Sequence, residues 1–345
     1  KRQSLAEARA RRTPIDWVMR ADDHPGEGPH PLVHYRPPKP RFVGRRLFRN
    51  YDLAEIAEYI DWQPFFQTWD LAGPFPAILN DEVVGESARR VFSDGKAMLR
   101  RVIEGRWLTA NAVVAFLPAN SVNDDDIEVY TDESRTEVAF VWRNLRQQTA
   151  KREGVANKCL ADFIAPRTLD GRPSGIADYI GLFAVTAGLG VERKEAEFAA
   201  LLDDYSAIML KAIADRMAEA FAECMHRRVR TDLWGYAPDE KLDAQALIEE
   251  RYIGIRPAPG YPACPEHTVK RELFDVLGCA EVGMTLTESF AMMPAASVCG
   301  FYLSHPKSEY FNAGPIDQDQ LADLVRRSGR DPEELERALA PVLAR

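Results

Sequence analysis

Hydrophobic and polar positions divide this chain into stretches of clearly different period. Across residues 1–40 no hydrophobic period persists. A short basic helix is predicted over Ser4–Arg12, and the run ADDHPGEGPHPLVHYRPPKP behind it is rich in Pro, Gly and His, which predicts a linker lying along a surface. From Leu53 the pattern tightens into an apolar and aromatic block through Trp62, Phe65, Phe66 and Trp69. Ser87–Ile103 sets Val91, Met98, Leu99 and Val102 in helical register and predicts an amphipathic helix. Ala112–Pro118, Ile127–Tyr130 and Glu137–Trp142 predict strands separated by short polar turns, the pattern of an antiparallel meander, and Tyr179–Thr186 predicts another. The longest periodic stretch runs from Arg193 to Arg228. There Phe198, Leu201, Leu202, Tyr205, Ile208, Met209, Ala212, Ile213, Ala220, Phe221 and Cys224 recur at helical spacing and predict one long amphipathic helix. Beyond it the pattern predicts a helix near Val269–Leu277, then a strand pair from Met284–Phe290 and Ser297–Leu303. Closing helices are predicted over Gln318–Arg327 and Asp331–Leu339, with Pro332 suited to a first helical position.

Strands cluster in some regions and helices in others, without steady βαβ alternation. That favours an α+β fold with a largely antiparallel sheet over a doubly wound one. The 345 residues allow one large domain or two ordinary ones, and no apolar run is long enough to span a bilayer. A formal net charge of −9 argues against nucleic acid as the main partner. Local basic strips do occur at Arg41–Arg49 and Arg227–Arg230, read as solvated surface or as a docking face for an acidic partner. The 5 cysteines are widely spaced with no CxxC pair, which speaks against a disulfide framework or a zinc ribbon and for a reducing cytoplasm. The chain opens Lys1-Arg2-Gln3 without an initiator Met or an apolar stretch, so a piece of something longer is expected.

Three constellations could carry chemistry. In Arg256-Pro257-Ala258-Pro259-Gly260-Tyr261-Pro262-Ala263-Cys264-Pro265-Glu266-His267 the closely set prolines exclude helix and central strand. The segment is expected to be stiff and extended, with most carbonyls free of ladder duties. Gly260 permits close approach or an unusual φ, and Arg256 supplies a fork suited to a carboxylate. The plain alternative is a rigid crossover with no ligand. Asp215, Glu219 and Glu223 follow one another at four-residue spacing on one helical face. They are either a solvated stripe or acids awaiting a cation such as Arg216, an ammonium or a sulfonium. Asp61, inside the aromatic block, is either a helix cap or a carboxylate at the mouth of a pocket. Two further patterns mislead. Gly188-Leu189-Gly190 mimics a phosphate-binding turn but lacks the third glycine, and Cys264-x-x-His267 lacks a second pair of metal ligands.

RPAPGYPACPEH at Arg256–His267 resembles a hallmark of the C-terminal activation domain of cobalamin-dependent methionine synthase. IDWQPFF at Ile60–Phe66, NDEVVGE at Asn80–Glu86, FLPAN at Phe116–Asn120, LRQQT at Leu145–Thr149 and CLADF at Cys159–Phe163 also resemble segments of that family. So do DYIGLFAVTAG at Asp178–Gly188, ADRMAEAFAE at Ala214–Glu223, WGYAP at Trp234–Pro238, LTESFAM at Leu286–Met292 and SHP at Ser304–Pro306. The likeness runs in order from Arg41 to about Leu343.

The resemblance implies a single C-shaped α+β domain, residues 41–345, around a twisted antiparallel sheet flanked by helices. Residues 1–40 would be the linker from a preceding cobalamin domain. By the same likeness the domain binds S-adenosylmethionine (AdoMet) and donates its methyl group to cobalamin that has oxidised to inert cob(II)alamin, while flavodoxin or an equivalent reductase supplies an electron. Arg256 would then hold the methionyl carboxylate, and Asp61 would accept from the amino group. Ala258, Gly260 and Tyr261 would line the nucleoside, with Tyr310 near the ligand. Phe311 stands where relatives often carry a second Tyr, while Glu219 and Glu250 stand close by. No catalytic acid, base, nucleophile or metal is expected within the chain. Cobalamin belongs to the preceding domain, zinc to domains further upstream, and the fragment is expected to be monomeric and inactive as a methionine synthase when alone. The cobalamin signature D-x-H-x-x-G is missed by Asp22-Asp23-His24-Pro25-Gly26-Glu27 at its last position. Two rival readings follow from the residues: a docking module for flavodoxin or the cobalamin domain without a small molecule, and an unrelated nucleotide-dependent enzyme using the Gly188–Gly190 turn.

Overall fold

The computed structural model describes residues 2–15, 17 and 35–344. The Asp22–Glu27 near-motif and most of the Pro/Gly/His-rich run therefore lie outside the described residues. Ahead of that gap, Ser4 caps α1 (Leu5–Ala10) in a reciprocal capping box with Glu7. The helix is tied down rather than trailing: Leu5 N–H donates to Asp319 at 2.6 Å, and Arg9 pairs with Asp125 at 2.7 Å and Asp323 at 2.6 Å.

In chain order there follow β1 (Gly44–Phe48), α2 (Leu53–Ala57), α3 (Gln63–Gln67), α4 (Gly85–Glu104), β2 (Thr109–Val122), β3 (Asp126–Tyr130) and β4 (Val138–Arg143). A small hairpin of β5 (Thr168–Leu169) and β6 (Arg172–Pro173) leads into β7 (Asp178–Leu189), α5 (Val191–Ala200) and α6 (Asp204–Arg228). The last part holds α7 (Ala244–Ile248), α8 (Lys270–Leu277), β8 (Thr285–Leu286), β9 (Met292–Met293), β10 (Ser297–Tyr302), α9 (Gln318–Ser328) and α10 (Pro332–Leu339). Among the described residues no helix is long and apolar enough to cross a membrane.

The main sheet has 6 strands in the order β10-β7-β2-β3-β4, with β1 added beside β2, and every pairing is antiparallel. Alternate side chains of β2 and β7 feed two cores. Ala112, Val114, Phe116, Phe183 and Val185 pack beneath α4 and α6, while Val113, Ala115, Leu117, Leu182 and Ala184 pack towards α8. Because both faces are covered, these strands read as continuous apolar runs rather than alternating ones.

Two expectations are corrected. The long helix is interrupted: α5 ends at Ala200, Leu202 takes φ +55°, and Asp203 begins α6 by accepting from Ser206 N–H at 3.0 Å. Leu201 and Leu202, counted among its apolar positions, are 76% and 91% exposed. Ser297–Tyr302 also does not pair with Met284–Phe290. It joins β7 in the main sheet, while Thr285–Leu286 pairs with Met292–Met293.

Candidate functional site

The proline-strung segment is seated on the last strand of the sheet. Ile255 and Leu303 exchange backbone hydrogen bonds at 3.0 Å, and Phe301 N–H donates to the Pro257 carbonyl at 2.9 Å. The loop crosses β10 where that strand has no side chain. A Cβ on Gly300 would lie 2.5 Å from the Pro257 oxygen. Beyond Ala258 the backbone folds on itself, with Tyr261 N–H to Ala258, Gly260 N–H to Cys264, Cys264 N–H to Tyr261 and Ala313 N–H to Pro262, all between 2.7 and 3.1 Å. No residue of the loop belongs to any of the strands β1–β10, as expected, and the carbonyls of Pro257, Ala258, Tyr261, Pro262 and Cys264 stiffen it further by accepting these bonds. Gly260 is required by a φ of +96° and by the His267 ring, whose Cε1 would sit 2.2 Å from an added Cβ.

The loop faces α6 and the Asp61 turn across two adjoining hollows of about 390 and 440 Å³, of the size of small-molecule pockets. Asp61, Arg216, Glu219, Glu223, Glu250, Tyr252, Arg256 and Tyr261 line the first. Glu219, Glu250, Arg256, Ala258, Tyr261, Tyr310 and Phe311 are among the residues lining the second, so four residues are common to both. Gly260 lines neither of them and acts through the turn.

Arg256 is the hinge of this groove. Its Nη1 forms an ion pair with Glu223 at 2.6 Å and hydrogen bonds of 3.3 Å with the Tyr252 hydroxyl and His226 Nδ1. Among the described residues its Nε and Nη2 donate to none, and the side chain is 21% exposed. Burial works against the cation, but Glu223 and the hydroxyls of Tyr310 and Tyr252 more than offset it and hold its pKa above the usual value. His226 is fully buried, and that burial, reinforced by Arg230 and Arg256, keeps its pKa far below the ordinary value. A neutral ring accepting at Nδ1 carries its proton on Nε2, 3.5 Å from the Tyr236 hydroxyl.

The acidic stripe proves to have a separate partner for each member. Asp215 pairs with Arg216 at 2.6 Å, Glu219 accepts from the Tyr261 hydroxyl at 3.2 Å, and Glu223 takes Arg256. Burial, followed by Glu219, pushes the Tyr261 phenol up to about 12. Burial raises the pKa of Glu250 against the opposing pull of Arg256. Asp61 is not the N-cap of α3, which is Trp62, but its Oδ1 accepts from Gln63 N–H at 2.9 Å one residue ahead of that position, and it lines the groove.

Tyr310 is committed to the protein. Its hydroxyl accepts from Arg256 N–H at 2.9 Å and lies 2.9 Å from the Tyr252 hydroxyl. Phe311 contributes a ring to the wall and packs against the neighbouring cores. Tyr252 and His226 join the site without any motif to mark them. The available signal is spacing alone: Tyr252 precedes Arg256 by four residues, and His226 follows Glu223 on the same face of α6.

The Gly188–Gly190 turn is filled by protein. A Cβ at Gly188 would lie 2.6 Å from Pro294, and one at Gly190, where φ is +104°, 2.5 Å from the Trp107 carbonyl. These glycines serve close packing.

The family model described as "Vitamin B12 dependent methionine synthase, activation domain" matches residues 52–329. Among solved structures, one described as the MetH reactivation domain bound to AdoHcy superposes with a TM-score of 0.89 at 48% sequence identity, covering 100% of this chain and 99% of that one.

Proposed function

Because the chain belongs to the vitamin B12-dependent methionine synthase activation domains, we propose that it binds AdoMet in the Asp61–Arg256 groove and donates the methyl group to cob(II)alamin during reductive reactivation. The observation that carries this reading is the open Nε–Nη2 edge of Arg256 in a groove whose charged lining is mostly acidic. A guanidinium edge takes a carboxylate in a planar, bidentate pair. Asp61, Glu219 and Glu250 suit an ammonium and a sulfonium, and Ala258, Tyr261, Tyr310 and Phe311 offer apolar wall to a nucleoside. The solved relative carries AdoHcy, the product of such a transfer.

The sulfonium leaves its methyl group electrophilic. Cobalamin, reduced by one electron from flavodoxin or an equivalent reductase, would supply the nucleophile that takes the methyl group, and the carbon–sulfur pair would stay on sulfur. The chain's own part is to bind, orient and exclude water, which needs no acid, base or nucleophile from the protein. Cobalamin would be held by the domain joined through residues 1–40, within one methyltransferase polypeptide of a reducing cytoplasm. The isolated domain would be monomeric and would not make methionine.

Calorimetry of this chain with AdoMet tests the reading. Saturable binding is expected, with Arg256→Ala weakening it about 10- to 100-fold, the worth of charged hydrogen bonds, and Asp61→Asn weakening it less. Absence of AdoMet binding alongside retained binding of flavodoxin or the cobalamin domain would establish a docking module instead.

A further inference from the structure

The guanidinium of Arg256 has a long, rotatable stem, yet it is presented to the groove by one edge only. What fixes that edge lies behind it. Glu223 Oε2 takes Nη1 at 2.6 Å, and the Glu223 side chain is only 13% exposed. The other Glu223 oxygen lies 3.9 Å from Nη1 of the fully buried Arg230, too far for a hydrogen bond. Arg230 is committed elsewhere: its Nε and Nη2 hold Glu240 at 2.8–3.0 Å, and its guanidinium lies over the Tyr252 ring at 4.4 Å. Glu223 thus stands between two cations and gives its one short bond to Arg256. Glu223, His226 and Arg230 are all set by one helix end. Glu223 and His226 share a face of α6, and the helix then widens, Trp234 N–H reaching back to Val229 at 3.0 Å, around the turn that carries Arg230.

We infer that Glu223 is a positioning residue for the carboxylate end of the ligand. It pairs with Nη1 of Arg256 so that the Nε–Nη2 edge is turned to the groove, and Arg230, held by Glu240, stands as a second, more distant cation beside it. Neutral His226 completes the backing, since it can accept from Nη1 without adding charge. A guanidinium held in this way loses little freedom when a carboxylate arrives, which is where preorganisation raises affinity. The inference rests on the AdoMet reading of the groove. It adds that recognition of the amino-acid end depends on a residue that need not touch the ligand.

The test compares two ligands on three proteins (wild type, Glu223→Gln and Arg256→Ala): AdoMet, and decarboxylated AdoMet, which keeps nucleoside, sulfonium and amine but lacks the carboxylate. Glu223→Gln keeps the size of the side chain and removes the charge. It is expected to weaken AdoMet on the order of tenfold, as outer partners of a ligand-holding group do, and to leave decarboxylated AdoMet unchanged. Equal loss for both ligands would mean a general structural role and would overturn the inference. So would unchanged AdoMet binding in Glu223→Gln where Arg256→Ala still weakens it, and the reading of the groove would then survive. If wild-type protein binds neither ligand, that reading fails and takes the inference with it. Should Glu223→Gln not fold, Glu223→Asp, which keeps the charge but shortens the arm, carries the same two-ligand comparison with the same deciding outcomes.

Discussion

Two arginines in this domain, Arg146 fully buried and Arg256 half-buried, have been given opposite company. Arg146 lies where the two ends of the chain meet and spends all its donors. Nε goes to Asp125 at 2.7 Å, Nη1 to Asn157 O and Asp162, and Nη2 to Asp124 O and Asp162, all within 3.1 Å. With five guanidinium N–H groups and five bonds, nothing remains to offer. Arg256 spends one nitrogen and keeps an edge open. Around Arg146 the acids are shared onward, Asp125 with Arg9 of α1, so the network joins the first helix to the sheet. Around Arg256 the acids Asp61, Glu219 and Glu250 line open space. A saturated guanidinium is part of the scaffold, whereas an unsaturated one in a groove keeps the donors that a binding group would need.

The hardest test of that contrast is at Arg146. Arg146→Met should leave Asp125 and Asp162 buried without their main cation, a loss of about 3–5 kcal/mol. It is read by urea denaturation with the midpoint and slope taken together. If this variant instead kept its stability and lost AdoMet binding, the division between scaffold and site would be broken.

The same contrast explains what can be read along the chain. β2, β3 and β7 are visible because short- and mid-range apolar runs write them directly. The partner of β10 is not, since Val298 meets Val185, more than a hundred residues earlier, and no local period encodes that. The break before α6 is hidden because Leu201 and Leu202 continue the helical phase while facing solvent, although Asp203 and Ser206 supply a cap signal. At the site, the proline loop and the acidic stripe stand out by composition, but which acid serves which cation does not. A place for Asp61 and Tyr310 at a ligand is proposed only through the family likeness. The bonds that tie Arg256 to Tyr252, His226 and Tyr310 depend on where a loop crosses a sheet at Gly300, a tertiary fact.

Acidification should strain the fold through two buried histidines, His226 behind the groove and His305 away from it. His305 is packed between Trp17 and Tyr35 with ring centroids 5.1 and 4.4 Å away, and its Nδ1 accepts from Lys307 N–H at 3.0 Å. Burial, then Lys307, lowers its pKa to about 4, and burial lowers that of His226 as well. A base whose native pKa lies below its unfolded value of 6.5 binds fewer protons when folded. Its contribution is present above pH 6.5 and is lost as pH falls towards the native value. Stability measured across this window should therefore decline on acidification, because the folded imidazoles stay neutral while those of the unfolded chain take up protons. His305→Phe should flatten part of the decline, leaving the part due to His226. A slope unchanged by His305→Phe would place the whole effect at the groove.

The smallest effect sharpens the contrast most, because it touches Arg256 through its backbone alone. The Tyr310 hydroxyl accepts from Arg256 N–H and meets the Tyr252 hydroxyl, so it fixes the start of the loop rather than the guanidinium. Tyr310→Phe removes the acceptor and keeps the ring, at a cost of about 1 kcal/mol to stability. If Tyr310 serves only the loop, AdoMet affinity should fall by less than tenfold, and decarboxylated AdoMet should weaken by the same factor. That distinguishes it from Glu223→Gln, where the carboxylate alone decides. A loss confined to AdoMet would mean that the Tyr310 hydroxyl also governs the open edge of Arg256, and the line drawn between backbone support and side-chain presentation would have to move.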